Sequence, residues 1–217
     1  MFTIRVVSTP EEREAIFQLR YAIYVEEMQR KQQYADHARR RIEEPLDATA
    51  TLFGAWDDNG ELIGTVRNND HDFGPYRALY EMDRAGHLLP RCVITTKLMI
   101  TQPWRHRSRL AVEMAIACYR HAMPRGSLFS FIDCNPPLVP LFQSLGYRKY
   151  RSPIDHPEYG RVDAMINGLT DREHLARVGS PFQPWVPAEG LTPEAASVLY
   201  GSILRPDAAP EADAISA

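Results

Sequence analysis

The sequence predicts an α/β (α+β) fold in which helices flank a mixed central sheet, and three stretches carry that prediction. The apolar strand VITTKLMI (Val93–Ile100) runs through a basic segment, QPWRHRSR (Gln102–Arg109), into a helical pattern. A second apolar strand, SLFSFID (Ser127–Asp133), is followed by a short helical piece ending LGYRKY (Leu145–Tyr150), so this part of the chain reads as a βαβα unit. Upstream, Ala50–Trp56 and Glu61–Arg67 are strands joined by Asp57-Asp58-Asn59-Gly60, a strong hairpin turn.

The remaining elements follow in order. Phe2–Val7 alternates as a first strand. Ser8 or Thr9 then caps a helix with Pro10 in its first turn, and Ile16, Leu19 and Ile23 form its apolar stripe. The charge-dense segment 30–45 is compatible with either a continuing helix or a mobile stretch, and 71–91 reads as irregular to helical. Arg148–Arg151 and Arg161–Ile166 form a last strand pair across the loop SPIDHPEYG. From Thr170 the composition shifts: prolines punctuate 168–206, where a short helix is expected at Pro193–Leu204, and 207–217 is expected to be disordered. The chain divides at this level into 1–167, a Pro-rich extension 168–206 and the tail 207–217.

Composition narrows the function classes. A 217-residue chain with 44% hydrophobic residues can bury one sizeable core, and a formal charge of −3 argues against general nucleic-acid or membrane-surface binding. Cys92, Cys118 and Cys134 lie in apolar runs and suit a reducing compartment rather than a disulfide framework. The N-terminal stretch lacks a signal-peptide apolar region, and no run approaches the length of a membrane span, so a cytoplasmic protein is expected. The histidines do not pair at metal-ligand spacing. Gly-x-Ser-x-Gly and Walker loops are absent, which disfavours zinc chemistry, serine hydrolysis and nucleotide hydrolysis.

A strand that opens through a cationic turn into a helix start is suited to holding a phosphate, because unpaired N–H groups and the positive dipole end meet added positive charge. Arg105, Arg107 and Arg109 crowd that helix start and call for an anionic partner or a solvated face. The loop Arg105–Ala111, followed by NPPLVPLFQSLGY (Asn135–Tyr147) after the second strand, resembles the GCN5-related N-acetyltransferase superfamily. LRYAIYVEEM (Leu19–Met28), EPLD (Glu44–Asp47), GTVR (Gly64–Arg67) and TTKLMI (Thr95–Ile100) are similar to the branch containing N-acyl amino acid synthases and, more distantly, acyl-homoserine-lactone synthases. The resemblance spans roughly residues 1–167.

That resemblance implies that two parallel strands, Val93–Ile100 and Leu128–Cys134, splay apart to admit a pantetheine arm. The donor would contact Leu98, Met99 and Ile100, with its phosphate at Arg105, His106, Arg107, Ser108 and Arg109. N–H groups of the Thr96–Met99 strand would stabilise a developing oxyanion while an amine attacks the thioester. Arg20, Arg67 and Lys97 would bind the acceptor, with an ion pair of the arginines to Asp47 or Glu26 as the structural alternative. Asp47, Glu26 and Thr96 are the catalytic candidates, and the glutamate that lactone synthases hold upstream of Thr96 is replaced here by Ile94 and Thr95. Leu128, Phe129, Phe131, Leu141 and Phe142 would line an acyl pocket, or else make ordinary core.

Two departures from the superfamily pattern refine this. The loop lacks the glycines that let backbone approach a pyrophosphate, which favours the acyl-phosphopantetheine of acyl carrier protein over acyl-CoA as donor substrate, with no tightly bound cofactor. Phe142 stands where many relatives carry a tyrosine that protonates the leaving thiolate. The expected activity is transfer of a long-chain acyl group to an amino acid amine. Acylation of a peptide or other metabolite, and a degenerate fold that only binds acyl carriers, are the alternatives.

Overall fold

A computed structural model describes residues 1–106 and 108–205. The chain opens with β1 (Phe2–Val6) and α1 (Pro10–Tyr21). Thr9 caps α1: its Oγ1 accepts from the Glu12 N–H at 3.2 Å, and the Glu12 carboxylate accepts from the Thr9 N–H at 3.3 Å. Ala22–Glu27 continues α1 as a π-helical turn. Segment 30–45 is neither helix nor mobile stretch but a miniature hairpin, β2 (Ala35–Asp36) with β3 (Arg41–Ile42), followed by a 3-10 turn at Pro45–Ala48.

The hairpin of β4 (Thr51–Asp57) and β5 (Leu62–Asn69) turns where the sequence places it. Asp57 Oδ1 accepts from the Asn59 and Glu61 N–H groups, each at 2.9 Å, and Gly60 supplies the positive φ of 80°. α2 (Tyr76–Leu79) and a 3-10 stretch (Met82–Arg91) lead to β6 (Cys92–Ile100). The basic segment is largely helical: α3 (Gln102–Arg105) precedes α4 (Ser108–Ala122). β7 (Phe129–Cys134), α5 (Val139–Leu145), β8 (Arg148–Lys149), β9 (Ile154–His156) and β10 (Gly160–Gly168) complete the sheet.

The strands run in the order β1-β4-β5-β6-β7-β10-β8, with β9 beside β10. Every neighbouring pair is antiparallel except β6–β7, which is parallel. This parallel pair is joined only at Cys92–Phe129, Val93–Ser130 and Ile94–Phe131. Beyond Ile94, β6 stays with β5 as far as Ile100, while β7 stays with β10 as far as Cys134. The sheet therefore opens between them, and the facing edges of Thr95–Ile100 and Ile132–Cys134 leave the ladder.

Alternation along β7 sends Phe129 and Phe131 into a core with Tyr80, Met82 and Ile166. Ile132 enters a different core with Tyr119, Phe142 and Leu145. The C-terminal segment joins both. α6 (Arg172–Arg177) contributes Leu175, and Phe182 follows it into the second core. α7 (Pro193–Val198) and its π-helical continuation (Leu199–Ile203) contribute Ala195, Leu199 and Ile203 to the first. The tail 207–217 lies outside the described residues.

Candidate active site

The site is built around the strand opening. On its β5 side, Thr65 faces Met99 but Arg67 faces Thr96, so β6 carries one extra residue there. Lys97 sits in that bulge at φ 56°. A side chain in such a conformation is re-aimed relative to the regular pleat, and here it enters a buried charge cluster.

Two other elements supply the rest of the cluster. Arg20 comes from the last turn of α1, and Glu44 and Asp47 from the two ends of the 3-10 turn. That tight turn brings the two carboxyl groups together: Asp47 Oδ2 accepts from the Glu44 N–H at 2.7 Å and from Arg20 Nη1 at 2.7 Å. Arg67 Nη1 donates to Glu44 Oε2 at 2.8 Å and Asp47 Oδ1 at 3.2 Å, while its Nε donates to Thr96 Oγ1 at 3.0 Å. Lys97 Nζ pairs with Glu44 Oε1 and donates to the Tyr159 hydroxyl. Burial works against each carboxylate, but the facing cations outweigh it and hold both below the usual carboxylate range: Lys97 and Arg67 for Glu44, Arg20 and Arg67 for Asp47. Burial likewise lowers the Lys97 ammonium, against the pull of Glu44.

Two spaces flank this cluster. The strand cleft, about 300 Å³, is lined by Tyr24, Leu98, Met99, Ile100, Asp133 and Tyr159 among others. A larger pocket of about 890 Å³ lies behind Glu44, walled by Leu46, Tyr76, Leu79, His156 and Glu158. A third, small apolar space of about 30 Å³ opens among Val93, Thr95, Ala115, Tyr119, Ser130 and Phe182. Leu98 and Phe142 line both this slot and the cleft.

The structure thus brings together Leu98, Met99, Ile100 and Phe142 on the cleft, and gathers Arg20, Asp47, Arg67, Thr96 and Lys97 beside it. It also corrects several sequence expectations. Arg20, Asp47 and Arg67 are 0% exposed and bond to each other or to Glu44 and Thr96, so they brace the site without facing either space. Glu26 pairs with exposed Arg40 and lines a separate surface groove with Gln18 and Arg39, because the π-helical turn points it away from the cleft. Leu128, Phe129 and Phe131 belong to the core on the other side of β7, and Leu141 lines neither the cleft nor the slot.

Arg105 closes the end of the cleft with a different role from the one expected. Its Nε donates to the Ile100 carbonyl at 2.7 Å, and its guanidinium holds both oxygens of Glu27. His106 is exposed, and Arg109 is 81% exposed in its side chain with Glu113 at 3.6 Å. Arg107 lies outside the described residues, and Ser108 is the first residue of α4.

Sequence reasoning did not single out Glu44, Tyr24, Asp133, His156 or Tyr159 as site residues. Glu44 had a signal, since three-residue spacing from Asp47 across a Pro-initiated turn aligns two acids. Tyr159 had none, because it reaches the cleft from a loop distant in sequence. Cys134 lines the cleft, but burial pushes its thiol up to about 12, which disfavours it as a nucleophile. Among the described residues no cluster of three or more metal-binding side chains occurs, and no helix is long and apolar enough to cross a membrane.

Comparison with known proteins supplies the family. The chain is similar in structure to FeeM, an N-acyl amino acid synthase from uncultured soil microbes, with a TM-score of 0.63 at 16% identity over 86% of this chain and 99% of that one. It is similar to the CoA-dependent acyl-homoserine lactone synthase BjaI, with a TM-score of 0.61 at 16% identity over 92% of this chain and 100% of that one. Escherichia coli ElaA aligns with a TM-score of 0.56 at 14% identity, over 77% and 99% of the two chains. The acetyltransferase-superfamily fold implied by the resemblance is therefore present. A search of curated proteins finds no match. The family profile described as N-acyl amino acid synthase FeeM matches residues 15–169, so the chain belongs to that family and is an amide-forming N-acyltransferase.

Proposed function

We propose that this enzyme moves a long-chain acyl group from the phosphopantetheine arm of acyl carrier protein, in preference to CoA, to the amine of an amino acid. The observation that carries this reading is the opening of β6 from β7 beyond Ile94, with an apolar slot continuing from its wall at Leu98 and Phe142. The pantetheine arm lies along the freed strand edges, where it can replace the missing ladder partner. The thioester carbonyl sits against β6, whose edge N–H groups stabilise the oxyanion. The acyl chain turns inward past Leu98 and Phe142. The slot is about 30 Å³ and accepts a long chain only as these two side chains turn aside.

The acceptor occupies the pocket behind Glu44, where Glu158 offers negative charge to its ammonium. The Arg20–Asp47–Arg67 bracing holds Glu44 in place, so binding energy goes into positioning amine and thioester; alignment of this kind supplies roughly 7–11 kcal/mol of a barrier. The missing loop glycines support a single-phosphate arm over the multiple phosphates of CoA. The test is incubation of pure protein with long-chain acyl carrier protein or acyl-CoA and pooled amino acids, followed by mass spectrometry. An N-acyl amino acid formed faster from the carrier is expected. Amide formation on peptides alone, or none from any donor, would overturn the reading.

A further inference from the structure

The cluster beside the cleft contains no good proton acceptor. Both oxygens of Glu44 are occupied, by Lys97 and Arg67, and both oxygens of Asp47 by Arg67 and Arg20. Pairing that lowers a carboxyl's affinity for protons makes it a weak base. His156 Nδ1 accepts from the Glu158 N–H at 3.1 Å, so the neutral ring carries its proton on Nε2 and can only donate there. Lys97 is sealed and charge-paired.

Asp133 is different in each respect. It lies on β7 two residues past the last rung shared with β6, inside the opened part of the sheet. Among the described residues lining the cleft it is the sole carboxylate; continuing the β6–β7 register sets it level with Thr96, and the neighbouring Lys97 is near enough to act on its charge. Its Oδ2 is shut off from solvent and closes no hydrogen bond, and the Tyr80 hydroxyl lies near it but short of hydrogen-bond geometry. Such an unsatisfied buried oxygen is costly to keep unless a partner arrives during function.

We propose that Asp133 is the general base of the transfer. This rests on the acyltransfer reading above. The bound ammonium first gives one proton to solvent; as the free amine nitrogen then bonds to the thioester carbon, its next proton passes to an Asp133 oxygen, the C–S bond breaks with its electron pair on sulfur, and the Asp133 proton goes to that thiolate. The same residue therefore also fills the place left by Phe142, returning a proton to sulfur where a tyrosine would otherwise supply one.

The electrostatic setting agrees with this role. Burial pushes the Asp133 carboxyl up to about 6, against the Tyr80 hydroxyl and the Lys97 ammonium, which pull it down. Tyr76, Tyr80, Tyr150 and Cys134 also feel its charge, and burial pushes all four upward, so they stay neutral near pH 7. At that pH the carboxylate is ionised, and once protonated it is acidic enough to protonate a thiolate of pKa about 8.5.

The deciding experiment is a pH–rate profile of wild type, Asp133→Asn and Asp133→Glu with acyl carrier protein and a productive amino acid, together with thermal melts. Wild type is expected to lose kcat below about pH 6. D133N is expected to lose kcat by about 10²-fold or more with little change in KM and no acid limb, and D133E to restore part of both. A buried acid with a raised pKa costs stability above that pKa, so D133N at pH 8 should melt no lower than wild type. Near-wild-type kcat with the acid limb retained in D133N would overturn the base assignment while leaving acyl transfer intact. So would a large drop in melting temperature accompanying the loss of activity. A wild type inactive with every donor and acceptor would overturn the acyltransfer reading, and the base assignment with it.

Discussion

Tyr159 stacks on His156 with ring centroids 4.2 Å apart and planes 20° from parallel. Tyr159 lines the strand cleft and His156 lines the pocket behind Glu44, so this aromatic pair stands where the two spaces approach each other. Tyr24 packs on Tyr159 at 5.4 Å from the cleft side, and Lys97 Nζ lies 5.0 Å from the Tyr159 ring centre. Tyr159 is thus held by stacking, by cation–π attraction and by the Lys97 hydrogen bond to its hydroxyl.

Opening that contact should separate bond formation from water exclusion. Tyr159→Ala is expected to raise thioester hydrolysis relative to amide formation by several-fold, because the cleft and the pocket merge and admit water. Quantifying free fatty acid against acyl amide in one reaction tests this; an unchanged ratio would mean that the stack does not govern access.

The buried ion cluster predicts a large stability loss from small changes. Asp47→Asn strips Arg20 and Arg67 of a fully buried counter-charge, and a cost of roughly 3–5 kcal/mol is expected from denaturant unfolding. Glu26→Gln, which touches only the exposed Arg40 pair, should cost under about 1 kcal/mol.

Acid should act through the same carboxylates. Glu44 and Asp47 have folded pKa values below their unfolded ones, so the stability they confer is complete above roughly pH 4–5 and falls away as pH drops through the folded values. Unfolding free energy measured from pH 5 downward should fall more steeply for wild type than for a Glu44→Gln, Asp47→Asn pair. Parallel curves would place the acid sensitivity elsewhere.

Chain-length preference should respond to the slot wall. Leu98→Trp is expected to shift activity toward shorter acyl donors, by about fourfold for each excluded methylene at ~0.8 kcal/mol apiece. Competition between donors of different length reads the shift, and an unaltered profile would exclude this slot as the acyl site.

The basic segment should divide into two roles. Arg105→Ala breaks the contacts to Glu27 and the Ile100 carbonyl and is expected to lower melting temperature as well as donor affinity. Arg109→Ala, on an exposed arginine, is expected to weaken carrier-protein binding at low salt and leave it unchanged at high salt, with stability unaffected. Binding titrations at two ionic strengths distinguish them.

Much of this molecule is legible in its sequence because its signals are local. Thr9-Pro10 with Glu12 caps a helix, Asp57–Gly60 closes a hairpin, and the apolar runs of β6 and β7 bracket an amphipathic helix. Those patterns, with the ordered motifs, were sufficient for the fold class and the family. Segment 30–45 was not readable, since β2 and β3 are two residues each and too short to show a period.

The site divides along the same line. The sequence, through its family resemblance, pointed to Leu98, Met99 and Ile100 as donor contacts, to Arg20, Arg67 and Lys97 as acceptor contacts and to Asp47 as catalytic; the structure sets the first three on the cleft and gathers the other four in one buried cluster. Only the tertiary structure decided that the arginines and Asp47 are sealed braces, that Phe129 and Phe131 face away from the slot, and that Asp133 stands in the opened part of the sheet. Burial and facing depend on which distant segments cover a residue. Here a 3-10 turn covers Arg67, a bulge turns Lys97, and one register choice on β7 sends alternate side chains to opposite cores.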